Sequence, residues 1–246
     1  MSLTDKQKQR YARNLVLPDF GEIGQEKLLN AKVLVIGAGG LGSPAIFYLA
    51  SAGIGTIGII DGDVVEISNL QRQILHFTDD INNIKVESAK EKIKKLNPDI
   101  NIKTYNEIFN KTNADKILKD YDFVLDCTDN IESKFFINDA CVANNKPFSH
   151  AGISEFEGQL ITIIPGETAC YRCIFHSEPK GFIKKLGVPG FVPGVVGTIQ
   201  ATEAVKFILG IGTLLTNTIL KYNSLTMDFR KIQVKRNVEC CSCGSK

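Results

Sequence analysis

The sequence predicts an α/β protein: a mostly parallel sheet with helices on both faces, continuing into an antiparallel C-terminal half. Three observations predict it. Val33-Leu-Val-Ile runs into Gly37-Ala-Gly39-Gly40-Leu41-Gly42, a buried strand followed by a glycine turn and a helix start. Strand-like and helix-like patterns then alternate as far as Gly152. Beyond Gly152 the alternation gives way to strand-like runs with a single helix among them.

Residues 1–30 read as helical and amphipathic, with Arg10, Tyr11 and Arg13 ahead of Leu15 and Leu17. Val33 to Ile36 is the first strand, and Gly42 to Ala52 is the helix leaving the glycine turn. Thr56 to Ile60 is a second strand, ending at Asp61. A charged, periodic helix is expected over Lys85 to Leu96, closed by Asn97-Pro98 because proline disfavours helix in the residue before it. Asn101 to Tyr105 alternates as a strand, and Phe123 to Asp126 is a buried one. A helix over Glu132 to Asn144 leads to a strand near Phe148. In the second half, strands are expected at Gln159 to Ile164, Thr218 to Tyr222 and Arg230 to Val234, with a helix from Val195 to Leu209. Glu178 to Gly194 is rich in Gly, Pro and Lys and reads as a mobile crossover segment above a site. The whole chain is expected to form one domain, with a nucleotide-binding half at 31–153 and a second half at 154–246.

Composition excludes several classes. Hydrophobic content of 43% with 23% charged residues is that of a globular protein with a sizeable core. The formal net charge of +2 comes from interspersed charges, which argues against nucleic acid as the main partner. The N-terminus is polar, without the apolar core of a signal peptide, and runs such as Ala45 to Ala50 are too short to cross a bilayer. A cytoplasmic location and no membrane partner are expected.

Seven cysteines in such a chain point first to metal binding, reactivity or packing. Cys170-Tyr-Arg-Cys173 and Cys240-Cys-Ser-Cys243 each contain a C-x-x-C spacing. Four thiolates from two such pairs complete a closed tetrahedral shell, so a structural zinc site is expected, clamping the C-terminal tail to the body. A redox pair is the alternative, without thioredoxin-like sequence around either motif. Cys241 is expected to be a spectator.

The glycine turn and Asp61 form a nucleotide fingerprint: close backbone approach to a phosphate, and an acid placed for a ribose. By themselves they suit a NAD-dependent oxidoreductase equally well. Arg72, Lys85 and Asp129 narrow the choice, because two cations and a free carboxylate around one nucleotide suit ATP and Mg2+ better than a hydride carrier. Each has a plainer alternative. Asp129 or Asn130 could cap the helix that follows. Lys85 could be a solvated helix residue, and Arg72 a surface ion pair. The glycines could serve only strand–helix packing. His76 and His150 show no partner at ligand spacing, so packing or surface roles are expected for them.

Together the motifs Arg10-Tyr-Ala-Arg13, Gly37-x-Gly39-Gly40-Leu41-Gly42, Asp61-x-Asp63, Ser68-Asn-Leu-Gln-Arg72-Gln, Lys85-Val-Glu-Ser-Ala, Asp126-Cys-Thr-Asp129-Asn130 and both cysteine pairs resemble the MoeB/ThiF/HesA adenylyltransferases. These are bacterial relatives of ubiquitin-activating enzymes. Gln200-Ala-x-Glu203-Ala-x-Lys206 extends the resemblance over nearly the whole chain. It implies MgATP and a ubiquitin-like sulfur carrier protein, whose Gly-Gly tail is adenylated with release of pyrophosphate. The thiocarboxylate then formed would serve molybdopterin or thiamine (thiazole) biosynthesis.

The resemblance gives Asp61 the ribose, Gly39 the phosphate, Arg72 and Lys85 the triphosphate and Asp129 the magnesium. Gly40, Gly42, Asp63, Ser68, Asn69 and Asn130 complete the implied nucleotide site. Arg13 would reach the site of a neighbouring subunit, implying a homodimer. The carrier tail would run beneath residues 178–194, in a carrier-binding second half. That segment contains no cysteine, so adenylation without a covalent thioester is expected. The chain ends just after the second cysteine pair, so a separate sulfur donor protein is also expected. A nucleotide-binding adaptor, or an enzyme adenylating a peptide or tRNA, remains an alternative at this stage.

Overall fold

Alternation along the strands sets the layers. In β1 (Lys32–Ile36), Val33 and Val35 enter one buried cluster while Leu34 and Ile36 enter another on the opposite face. A computed structural model describes residues 2–176 and 187–244. Among the described residues, β1 is joined by β2 (Thr56–Ile60), β3 (Asn101–Tyr105), β4 (Phe123–Asp126), β5 (Phe148–Ser154), β6 (Glu157–Ile163), β7 (Thr218–Asn223) and β8 (Asp228–Gln233). They form one sheet in the order β3-β2-β1-β4-β5-β6-β7-β8. Pairings from β3 to β5 are parallel and those from β5 to β8 antiparallel. The sheet is therefore mixed: β5 belongs to both the parallel and the antiparallel part.

The N-terminal segment is helical as expected, in three short pieces: α1 (Asp5–Arg10), α2 (Ala12–Leu15) and α3 (Gly21–Asn30). Thr4 and Gln7 close a capping box on α1, satisfying two donors that a helix start otherwise leaves free. Next come α4 (Gly42–Ala52), α5 (Lys85–Leu96), α6 (Ala114–Leu118), α7 (Ile131–Ala143), α8 (Tyr171–Ile174) and α9 (Phe191–Leu209). Apolar faces of α4, α5 and α9 cover one side of the sheet through Ile46, Leu49, Val86, Ile93, Val196 and Ala204. On the other side α6, α7 and α8 contribute Ile117, Leu118, Phe135, Ile137 and Tyr171.

Several boundaries differ from expectation, and β6 and β8 each start two residues early and stop one residue early. The late helix begins at Phe191, four residues before Val195, because Pro193 lies in its first turn, where a missing N–H breaks no helical bond. The expected crossover segment therefore ends in helix, and its residues 178–186 lie outside the described residues. The short α6 and α8 were not anticipated, since four or five residues carry too little periodicity to read.

Candidate active site

The strand order reverses between β1 and β4, whose onward connections run to opposite sides of the sheet. Such a switch point opens a crevice at the carboxyl ends of the strands. Ile36 lies beside Asp126 in register, so the glycine turn and the loop Cys127–Asp129 leave the sheet side by side. Gly37 has φ +100, and a Cβ there would stand 2.8 Å from the Cys127 carbonyl oxygen. Only glycine permits that approach. A Cβ on Gly42 would meet the Gly37 carbonyl oxygen at 2.0 Å, so the turn is also closed on the helix. Gly39 faces the Gln73 side chain, while Gly40 packs against Arg72 and Pro193. Among the described residues no acceptor meets the N–H groups of Gly39 and Gly40.

Asp61 leaves the end of β2 beside this turn. Its Oδ2 accepts the Ala38 N–H at 2.8 Å and its Oδ1 the Asp63 N–H at 2.9 Å. Lys85 opens α5 but is only 5% exposed, which removes the solvated-helix reading. Its Nζ lies 2.9 Å from Asp63 Oδ2 and 4.0 Å from Asp61 Oδ1. Asp63 itself is exposed, so Lys85 has a partner it can leave for a stronger anion.

Arg72 donates to the Ser68 carbonyl at 3.2 Å and makes no ion pair among the described residues. Ser68 bonds Glu66, and the Asn69 side chain accepts the Glu66 N–H, so this short turn is internally tied. Asn130, not Asp129, caps α7: its Oδ1 accepts the Ser133 N–H at 2.7 Å. That resolves the capping alternative. Asp129 is exposed, with no hydrogen bond or ion pair among the described residues.

One residue here was quoted in a motif but given no role. Gln73 is 5% exposed and its Oε1 has no partner among the described residues. An unmet buried acceptor costs about 1–3 kcal/mol, and this one borders Gly39, where a ligand donor would satisfy it. Arg13 is not brought to the crevice of its own chain. It lies on α2 beside Tyr11, whose ring packs against Gly53 at the far end of α4. The glycine turn is at the near end, roughly 16 Å away for an 11-residue helix.

The cysteine pairs do converge. The Sγ atoms of Cys170, Cys173, Cys240 and Cys243 all lie within 4.8 Å of one another. Separations of 3.8 Å (Cys170–Cys173), 3.6 Å (Cys170–Cys240) and 3.4 Å (Cys173–Cys243) are close to the ~3.8 Å edge of a tetrahedron with metal–sulfur bonds near 2.3 Å. Asn138 on α7 accepts the Tyr171 N–H and donates to Ser242, holding both knuckles to one helix. Cys241 is exposed and outside the group. The four residues could hold a metal ion.

A model of the ThiF family matches residues 11–243. The chain belongs to the ThiF family. Among its relatives, a SAMP-activating enzyme E1 of Haloferax volcanii is 40% identical over 99% of this chain and 92% of its own length. A sulfur carrier protein adenylyltransferase of Thermus thermophilus is 40% identical over 100% of this chain and 94% of its own. A probable molybdopterin-synthase adenylyltransferase of Porphyra purpurea is 44% identical, and there the chain spans 60% of the relative's length. The crystal structure of E. coli MccB with ATP aligns with a TM-score of 0.82 at 29% identity, covering 96% of this chain and 74% of that one. This ThiF-family chain is an adenylyltransferase, and the comparison supports use of ATP.

Beneath the crevice the ThiF-family chain buries a charged cluster that its sequence did not reveal. His150, for which the sequence shows no partner at ligand spacing and a packing or surface role is expected, is buried, with its Nδ1 2.7 Å from Asp126 Oδ2 and its ring tilted 42° against Tyr171. The parallel register of β4 and β5 sets those two residues opposite each other. Asp126 Oδ1 accepts both the N–H and the hydroxyl of Thr128, and Lys134 stands 3.6 Å away. Burial works against the Asp126 charge, but Lys134 and these donors hold its carboxyl well below the usual range. His76 takes the packing alternative as well, buried and bonded to Ser88 and Ala38.

Burial keeps both histidines neutral, with the Lys134 charge adding to the effect at His150 and Lys85 at His76. In an unfolded chain they would take up protons near their ordinary value of 6.5. Stability is therefore expected to be complete above that value and to fall as pH drops through it. Melts between pH 8 and pH 5 check this, and His150→Gln should flatten the decline. A melting temperature unchanged across the range would contradict it.

Among the described residues no helix is long and apolar enough to cross a membrane.

Proposed function

We propose that this chain adenylates the C-terminal Gly-Gly carboxylate of a ubiquitin-like sulfur carrier protein, for molybdopterin or thiamine biosynthesis. The tail carboxylate attacks the α-phosphate of ATP. A carboxyl–phosphate bond forms, the α–β anhydride bond breaks, and pyrophosphate leaves. A C-terminal carboxylate is ionised at neutral pH and needs no general base. Catalysis then reduces to alignment and charge stabilisation. The observation that carries the reading is the grouping of Arg72, Lys85 and Asp129 around a switch-point crevice, with Asp129 and the turn N–H groups without partners among the described residues, in a ThiF-family chain.

In this reading Gly39 and Gly40 offer N–H donors to phosphate, and the remaining lone pairs of Asp61 accept a ribose hydroxyl. Arg72 and Lys85 neutralise the triphosphate, with Lys85 released from Asp63. Gly42, Ser68, Asn69 and Asn130 shape the walls. A magnesium ion would neutralise phosphate charge; an exposed carboxylate at Asp129, without a partner among the described residues, suits that hard cation. Zinc suits the four thiolates. Cys127 and Cys141 are buried and their thiols pushed up, which makes them poor nucleophiles and supports transfer without a thioester. Sulfur is taken to come from a separate donor protein.

Arg13 is assigned to the crevice of a second copy. Its distance from its own glycine turn supports this, as do the exposed Val16 and Leu17 close behind it. Mixing Arg13→Ala with Arg72→Ala protein should restore activity through hybrid dimers carrying one intact site. No recovery on mixing would remove the exchange between subunits.

Mass spectrometry tests the reaction itself. A Gly-Gly-tailed carrier incubated with enzyme and ATP should gain one AMP group. A carrier–enzyme adduct that survives denaturation but not a thiol reductant would replace this scheme with a thioester one.

A further inference from the structure

We propose that His76 is a positioning residue that turns the Gly39 N–H toward the nucleotide phosphates; this rests on the ATP reading above. His76 is 3% exposed, and its Nε2 lies 3.0 Å from the Ala38 carbonyl oxygen. A carbonyl only accepts, so Nε2 carries the proton. Burial keeps the ring neutral, which leaves Nδ1 to accept the Ser88 hydroxyl at 2.9 Å. Ser88 is fixed in turn by Lys92, which is ion-paired with Asp80 inside the same pocket. The Ala38 carbonyl sets the tautomer, and Ser88 and Lys92 of α5 hold the other side of the ring.

The consequence follows from peptide geometry. No cis peptide bond occurs among the described residues, so the Ala38 C=O and the Gly39 N–H point in opposite directions across one rigid plane. His76 holds the carbonyl inward, and the Gly39 N–H must then face out, where no acceptor among the described residues meets it. Asp61 holds the preceding peptide unit, Gly37–Ala38, through the Ala38 N–H. Glycine at position 39 would otherwise let this peptide rotate freely. With the carbonyl held by His76 and the preceding peptide unit held by Asp61, the donor is set before the ligand arrives, and no binding energy is spent on orienting it.

Two variants separate positioning from packing. The amide nitrogen of His76→Gln falls where Nε2 is and keeps the donor to Ala38. That of His76→Asn falls where Nδ1 is and stops short. Calorimetric binding of ATP and of adenosine should show His76→Asn losing about tenfold in ATP affinity, the loss typical of one hydrogen bond to a charged group. Adenosine, which has no phosphate, should change less than about twofold, and His76→Gln should retain ATP binding close to wild type. Equal ATP affinity in the two variants, or equal losses for ATP and adenosine, would overturn the proposal. A second measurement needs no variant: in the wild-type protein the Gly39 amide proton resonance should move on adding ATP and stay on adding adenosine. An unmoved Gly39 resonance in ATP-saturated protein would also overturn it. Failure of the wild-type protein to bind ATP at all would instead count against the nucleotide reading.

Discussion

Replacing Asp129 by alanine is expected to lower ATP-dependent pyrophosphate release at least ~100-fold, the scale lost when one transition-state charge partner is removed. The melting temperature should hardly move. Asp129 is exposed and bonded to nothing among the described residues, so its side chain supports no other part of the fold. The following helix keeps its cap, because Asn130 supplies it. The loop keeps its place, because Asp126 holds Thr128 through two hydrogen bonds. A pure loss of rate at constant stability is thus the signature of a metal or phosphate role. Raising magnesium should not restore the variant, whereas Asp129→Glu should recover part of the rate. Full activity in Asp129→Ala would take magnesium binding away from this residue.

The second large effect is on stability. Cys170→Ser is expected to lower bound zinc and the melting temperature together. Metal affinity at a closed thiolate site is folding free energy, since the unfolded chain has no such site. Cys170 and Cys173 stand on the main body, while Cys240 and Cys243 come from the tail 70 residues later. Loss of one ligand therefore loosens the tail against α7 and the second buried cluster, which includes Cys170, Cys240 and Cys243. A loss of at least ~2 kcal/mol corresponds to roughly 4–8 °C for a chain of this size. Cys241→Ser, on the exposed neighbour, should change neither quantity. Unchanged metal content in Cys170→Ser would mean that the four thiols are not the ligand set.

The crevice side of the fold was legible because glycine and proline punctuate it. The helix Gly42–Ala52, the strand Thr56–Ile60 and the helix Lys85–Leu96 are found at the expected residues, bounded by the glycine turn, Asp61 and Asn97-Pro98. Short helices were illegible for want of a full period, as at Tyr171–Ile174.

Site chemistry was legible as residue types in order, and much less so as partners. Asp126 and His150 are 24 residues apart and meet only because their strands pair in parallel. The burial of Lys85 against Asp63 depends on where the chain between them turns, and local sequence does not record that. Asp129 and Asn130 are equally good caps by type, and backbone geometry decided between them. His76 carries no motif of its own. Its role follows from one carbonyl that only a three-dimensional structure brings within reach.

Carrier-dependent exchange of label between pyrophosphate and ATP tests the central claim most directly, with Gly-Gly-tailed carriers and the same carriers lacking the tail. Reversible adenylation predicts exchange with an intact carrier and none with its truncated form. Exchange that proceeds equally without the tail, or no exchange with any Gly-Gly-tailed carrier, would contradict adenylation of that carboxylate and leave an ATP crevice serving a different acyl substrate.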